Sequence, residues 1–313
     1  MKTIINLLFL VAGPVAFAQY NKENLRMESA ASVEPFKFEN LHLYPIRANQ
    51  EFLNHHKDVG NYVTLKSALE KRKVQITEYS GGTVNTLYIE NISSDTVMIL
   101  SGEVVQGGKQ DRVIAQDFIL PPKSGKKDVS VFCVEHGRWQ TKSGGDMSFN
   151  QYYSISTNSV RKAATVNKNQ QKVWDEVAKT TKENKAETST GTLTALQTSS
   201  TFSSDLEKYV GHFGTLFANQ SDVIGVVAVA GDKILGCDMF ATNDLFQKQY
   251  ANLLNSYATE AITSGKKVSV PYQEVSEYLQ GLIADEANQD KRVKEKGTIM
   301  ENGKRKIHIS TFE

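Results

Sequence analysis

Between Gly102 and Trp139 the chain reads GEVVQGGKQDRVIAQDFILPPKSGKKDVSVFCVEHGRW, and this stretch carries most of the side chains with chemistry to offer. Glu103 and Glu135 are candidates for a general acid–base pair, with burial raising the pKa of one carboxyl. The competing reading has each glutamate neutralised by a nearby Lys or Arg that fixes the strands, and this reading is preferred. Lys109 and Arg112 suit an anionic ligand, Arg112 through its planar fork, or else a solvated sheet edge. Gln110 serves as a ligand donor or as a turn residue. Arg138 suits phosphate or carboxylate, and Trp139 can stack on a ring or sugar, although an aromatic of that size more often anchors a core or hinge. Asp238, in the apolar run KILGCDMF, needs a partner if buried, and Arg112 and Arg138 are the candidates.

Other chemistries fail on spacing. A phosphate loop needs Gly, four residues, then Gly-Lys-Ser/Thr opening a helix. Here Gly108 interrupts the pattern, Gln110 follows the lysine, and strand-like sequence comes next. The glycine pair Gly107-Gly108 suits a tight turn or bulge. There is no GxSxG elbow. Cys133 and His136, three apart on a strand, point to opposite faces and cannot pair directly. No CxxC or HxxxH spacing appears, so no metal is expected, and no cofactor either. Alternation puts Val131, Cys133 and Glu135 on one side of their strand. If Cys133 is buried, Glu135 must therefore be paired at the sheet end. Cys133 and Cys237 are the only cysteines. A disulfide and two separately packed thiols are both open.

The 313 residues are 40% hydrophobic and 23% charged, with 36 basic against 35 acidic side chains and a formal charge of +1. That balance argues against a broad nucleic-acid-binding surface. Lys2, the apolar stretch from Ile4 to Val15, and Ala16-Phe17-Ala18 read as a signal peptide over residues 1–18. The mature protein is expected to be exported, periplasmic or secreted, without a stable membrane anchor.

The elements that must position these residues follow from periodicity and turn chemistry. Residues 19–38 read as a flexible leader, and LHLYPI (41–46) as a strand ended by Pro45. A helix is expected over 64–72 with Thr64 as N-cap. Strands follow at 74–79 and 86–91, joined by Ser80-Gly81-Gly82, then at 96–100, 111–120 and 128–135. An exposed polar helical excursion, an insertion rather than a separate domain, is expected over about 140–203, its periodic part at 170–182. Helices are expected over 205–218 and 243–264 and after Pro271. Hairpins are expected around Gly231-Asp232 and Asn302-Gly303. The sum is an α+β fold, an antiparallel β-rich core with several packed amphipathic helices, forming one domain over 39–313.

GEVVQGGKQDRV, SVFCVEHGRW, and IGVVAVAGDKILGCDMF with a long helix behind it resemble the ARG and rhodanese-phosphatase-superfamily-associated protein domain. The resemblance runs from about 41 to 313. It implies, through the neighbours for which the family is named, a link to ADP-ribose or phosphate-ester metabolism. An export signal departs from that setting. The leading functional expectation is a small anionic or sugar-like ligand bound in a charged groove. One alternative is a hydrolase using Glu103 and Glu135, with Arg112 and Arg138 holding substrate. The other is a structural or interaction module without a ligand. Protein partners stay open. A Glu103–Glu135 pair exposed in a cleft favours the enzyme, and full neutralisation away from any cavity favours the scaffold.

Overall fold

The computed structural model describes residues 20–79, 83–141 and 144–313. The expected signal peptide and the Ser80-Gly81-Gly82 turn lie outside the described residues. Residues 20–38, expected as a flexible leader, are instead built into the fold. Tyr20 is buried and its carbonyl accepts from Gln289 Nε2 at 3.1 Å. Strand β1 (Leu25–Met27) and the two-residue β2 (Lys37–Phe38) both pair antiparallel with β3 (Leu41–Ala48). The segment is polar overall, but Tyr20, Leu25, Val33 and Phe36 are enough to dock it on the core. Strand β3 also runs through Pro45 rather than ending there. The Pro45 carbonyl accepts from Glu28 N, which turns the missing N–H toward the end of β1 and away from the inner neighbour strand.

After α1 (Gln50–His56) and β4 (Val63–Thr64) comes α2 (Leu65–Glu70), whose first turn is capped by Thr64 Oγ1 accepting from Ser67 N at 3.2 Å. Then follow β5 (Val74–Glu78), β6 (Thr86–Asn91), β7 (Val97–Ile99), β8 (Glu103–Gly107), β9 (Arg112–Ile114), β10 (Phe118–Leu120), β11 (Gly125–Cys133) and β12 (Phe149–Ile155). Six of these form an antiparallel sheet in the order β12-β8-β9-β11-β6-β5. Its two edges meet at the Thr77↔Ser148 bridge, so the sheet curls almost into a barrel. Alternation gives it two apolar faces. Val105, Ile114 and Val131 join Ile76, Ile89 and Phe149 in one cluster with α2, and Val104, Val113 and Phe132 face a second cluster. The strand expected over 111–120 divides, because Asp117 accepts from Ser101 N at 2.6 Å and turns the chain. Strand β10 then joins β7 and β4 in a separate small sheet.

The second cluster is closed by α3 (Asn158–Thr165), α4 (Gln170–Glu183), a 3-10 turn at Leu193–Thr198 and α5 (Ser200–Phe213). The polar excursion expected over about 140–203 is therefore no exposed appendage. It buries Val160, Ala163, Val173, Val177 and Leu196 against the sheet. The last third holds β13 (Val223–Ala230), β14 (Lys233–Phe240), α6 (Asn243–Ser264), α7 (Tyr272–Leu282), α8 (Glu286–Lys296), β15 (Gly297–Asn302) and β16 (Arg305–Phe312). Both expected hairpins form, and the sheet order is β1-β3-β13-β14-β16-β15. Every residue of β13 is buried, as its unbroken apolar run VIGVVAVA requires. The architecture is α+β. Among the described residues no helix is long and apolar enough to cross a membrane.

Candidate functional site

The first charge network grows from the turn that follows β11. Glu135 stays on the buried side with Cys133, as alternation requires, and its Oε2 accepts from Arg138 Nε at 2.8 Å. Arg138 spends its remaining donors on the carbonyls of Gly108 and Gln140, both at 2.8 Å, and on Asp111 Oδ1 at 3.2 Å. The other Asp111 oxygen accepts from Thr194 Oγ1 at 3.1 Å and Thr192 Oγ1 at 3.3 Å. Gln110 Nε2 donates to the Glu135 carbonyl at 2.7 Å, which makes it a turn residue. The chain approach at Gly107-Gly108 is close. A Cβ on Gly107 would lie 2.2 Å from the Ser148 carbonyl, and Gly108 has φ +45 beneath the Phe149 ring. This glycine pair makes a turn, as expected.

Arg112 is fully buried, which overturns the solvated-edge alternative for it. It shares the inner face of the curled sheet with Ile114, where its Nη2 lies 3.6 Å from Glu78 Oε1 and its Nη1 donates to the Gln110 carbonyl at 2.8 Å. Lys109 is half-buried, with its ammonium 5.2 Å from the Trp139 ring centre. Trp139 itself is 55% exposed, so it anchors neither core nor hinge. His136 is exposed and packs edge-on to Trp174.

Glu103 lies elsewhere. It is buried on the inner face beside Val105, with Oε2 accepting from Leu100 N at 2.8 Å. Burial pushes its pKa up to about 8, against the lowering pull of the Leu100 amide and the neighbouring Tyr152 hydroxyl. Its Oε1 and the Tyr152 hydroxyl have no hydrogen-bond partner among the described residues. No hydrogen-bond partner is common to Glu103 and Glu135 among those residues. The two carboxylates are thus held in different environments, Glu103 buried with a raised pKa and the Leu100 amide as donor, Glu135 ion-paired to Arg138.

A second network, centred on Asp238, contains residues that sequence reasoning missed. Asp238 takes neither Arg112 nor Arg138 as partner. Arg161, from α3, grips it with Nη1–Oδ2 at 3.1 Å and Nη2–Oδ1 at 3.0 Å, and the Tyr257 hydroxyl donates to Oδ2. His308 on β16 bridges two carboxylates, Nε2 to Asp238 Oδ1 at 3.0 Å and Nδ1 to Asp117 Oδ2 at 2.8 Å. Both ring nitrogens face acceptors, so both carry protons. Burial disfavours that cation, but Asp117 and Asp238 outweigh it and hold the pKa at about 9. Burial likewise opposes ionised Asp117 and Asp238, and His308 and Arg161 respectively lead the forces that pull them below the usual carboxylate range. Two anions and two cations balance inside a buried interior. The available signal was weak. Arg161 sits in polar NSVRKAAT, and His308 shows only as a polar residue inside the strand KIHIS.

A family model for the ARG and Rhodanese-Phosphatase-superfamily-associated Protein domain matches residues 30–310, nearly all of what these two networks tie together. The protein belongs to this family. No curated protein and no solved structure matches it. In this family member the two cysteines are buried, free thiols, and burial pushes Cys237 up to about 12. Among the described residues no group of three His, Cys, Asp or Glu side chains is placed to hold a metal ion.

One cavity stands apart from the charges. It has a volume of about 200 Å³ and lies between β12, the 3-10 turn, α5 and α6. Ser154, Ser156, Thr157, Asn255 and Thr259 supply its polar wall, and Leu193, Leu196 and Phe202 its apolar wall. Among the described residues no charged side chain lines it. The Ser154 and Ser156 hydroxyls are buried and have no partner among the described residues.

Proposed function

We propose that this protein is a non-catalytic binding module, exported to the periplasm or medium, for a small uncharged ligand of the sugar or polyol class. The ligand occupies the cavity beside β12, and the charged block acts as its framework. The mixed lining of that cavity carries the reading, since Ser154, Ser156, Thr157, Asn255 and Thr259 bring polar groups beside the apolar Leu193, Leu196 and Phe202. The apolar wall suits the face of a small carbohydrate ring. The uncharged lining favours a neutral over an anionic ligand, since an anion would lose its hydration without a counter-charge. The hydrolase alternative has less support, because Glu135 is consumed by Arg138 and Glu103 lies in a separate buried setting.

The test is calorimetric titration and thermal shift of the mature protein against neutral monosaccharides and polyols and their phosphorylated counterparts. A neutral compound is expected to raise Tm, its phosphorylated form to have no effect, and Ser156→Val or Ser154→Ala to abolish the shift. Tighter binding of the phosphorylated forms, or binding that survives both substitutions, rejects the assignment.

A further inference from the structure

One end of the curled sheet is a tip made of three connections, residues 71–73 between α2 and β5, 92–96 between β6 and β7, and 121–124 between β10 and β11. Asn91 is fully buried where they meet, and its Nδ2 donates to the carbonyls of Asp95 at 2.7 Å and Pro121 at 2.9 Å. Backbone bonds complete the joint, Ile92 N to the Lys73 carbonyl and Lys123 N to the Ser93 carbonyl, both at 3.0 Å. Each connection is thus tied to another, which fixes the side chains of the tip relative to one another.

Those side chains combine an apolar centre with a basic rim. Ile92 is 43% exposed, and Pro121 and Pro122 stand exposed on the neighbouring connection. Lys71, Arg72 and Lys123 are exposed around them and form no ion pair among the described residues. Lys73 is paired with Asp95, which leaves Glu70, at the end of α2, as the nearby carboxylate in the same chain segments without an ion pair among those residues. Arg72 and Lys123 hold φ of +54 and +47. Glycine adopts that conformation without strain, so a connection that only joined two elements would be better served by glycine than by a long cation.

We propose that this tip docks reversibly on an anionic phospholipid bilayer. Ile92 and the two prolines enter the headgroup region, and Lys71, Arg72 and Lys123 lie against the lipid phosphates. Charge alone suits any polyanion. The exposed apolar centre favours lipid, because a soluble polyanion offers no apolar layer to receive Ile92.

The test is co-sedimentation of the mature protein with vesicles of phosphatidylglycerol and phosphatidylcholine, compared with vesicles of phosphatidylcholine alone. Binding is expected only to the anionic vesicles, and to weaken as salt is raised. Each basic side chain near such a surface contributes roughly fivefold, so Lys71→Gln/Arg72→Gln/Lys123→Gln is expected to bind roughly a hundredfold more weakly. Ile92→Ser is expected to weaken binding at every salt concentration. Removing the same charge at exposed positions on and beside α4, with Lys168→Gln/Lys172→Gln/Lys179→Gln, is expected to leave binding unchanged. No binding to the anionic vesicles, equal binding to the uncharged ones, or an equal loss in the α4 variant overturns the proposal. Retention on heparin without binding to vesicles also overturns it, because the partner is then a soluble polyanion.

Discussion

Arg161 and Asp238 lie 77 residues apart in sequence, yet they meet through two side-by-side bonds, Nη1–Oδ2 at 3.1 Å and Nη2–Oδ1 at 3.0 Å, with both side chains buried. The pair fastens α3, and with it the polar middle of the chain, to the C-terminal sheet. Removing one partner leaves the other charge buried without compensation, which costs about 3–5 kcal/mol. Asp238→Ala and Arg161→Met are each expected to destabilise by that amount in urea unfolding. The double variant is expected to lose clearly less than the sum, since it strands neither charge. Additive losses would mean that the two residues contribute independently.

Gly102 extends the same argument to the backbone. It has φ +92, and a Cβ built there lies 2.3 Å from Arg161 Cγ. Gly102→Ala must both strain the backbone and displace the arginine from Asp238. The expected loss is at least about 1–3 kcal/mol, the range for a residue held in a sparsely populated conformation. A crystal structure of the variant should find Arg161 shifted. A variant as stable as the parent would remove this contact from the framework.

The sequence made the antiparallel strands, the Thr64 cap and the two C-terminal hairpins legible, because alternation, capping residues and Gly-containing turns are local signals. It also located Glu135 correctly, since the step from Cys133 along a strand is geometric. The partners were not legible. Asp238 pairs with Arg161, whose segment looked like a solvated insertion, and Asp117 lay inside what read as one continuous strand. Both errors have one physical origin. Periodicity reports which face is apolar, but it carries no information about which distant elements meet. Trp139 failed for the opposite reason. Its size argued for burial, while its neighbour Arg138 filled the interior instead.

Two buried groups, Glu103 and His308, favour the folded state at lower pH. Glu103 has a folded pKa raised by burial to about 8, so its contribution to stability is fully present below about 4.5 and fades as pH rises through 8. His308, held at about 9, contributes fully below about 6.5 and fades as pH rises through 9. His42, lowered by burial to about 4, works in the other sense and loses its contribution as pH falls. The clean measurement is therefore a difference between variants. The stability of wild type relative to Glu103→Gln is expected to decline between about pH 4.5 and pH 8 and then level off, read from urea midpoints at a series of pH values. A flat difference across that window would mean that Glu103 is ionised in the folded protein.

Arg138 and Trp139 are neighbours in sequence with opposite fates, and substituting them separates framework from surface. Arg138 holds Glu135 and Asp111 together and caps the Gly108 and Gln140 carbonyls, so Arg138→Ala strands two buried carboxylates. Its expected cost is about 3–5 kcal/mol. Trp139 touches the half-buried Lys109 from an exposed position, and Trp139→Ala is expected to stay within about 0.5 kcal/mol of wild type. If Trp139 were part of a ligand site, its substitution would leave unfolding unchanged but weaken binding of the neutral ligand. The cavity beside β12 does not include it, so ligand-induced Tm shifts in Trp139→Ala should equal those of wild type. A lost shift in that variant would move the binding site from the cavity to the Trp139 surface.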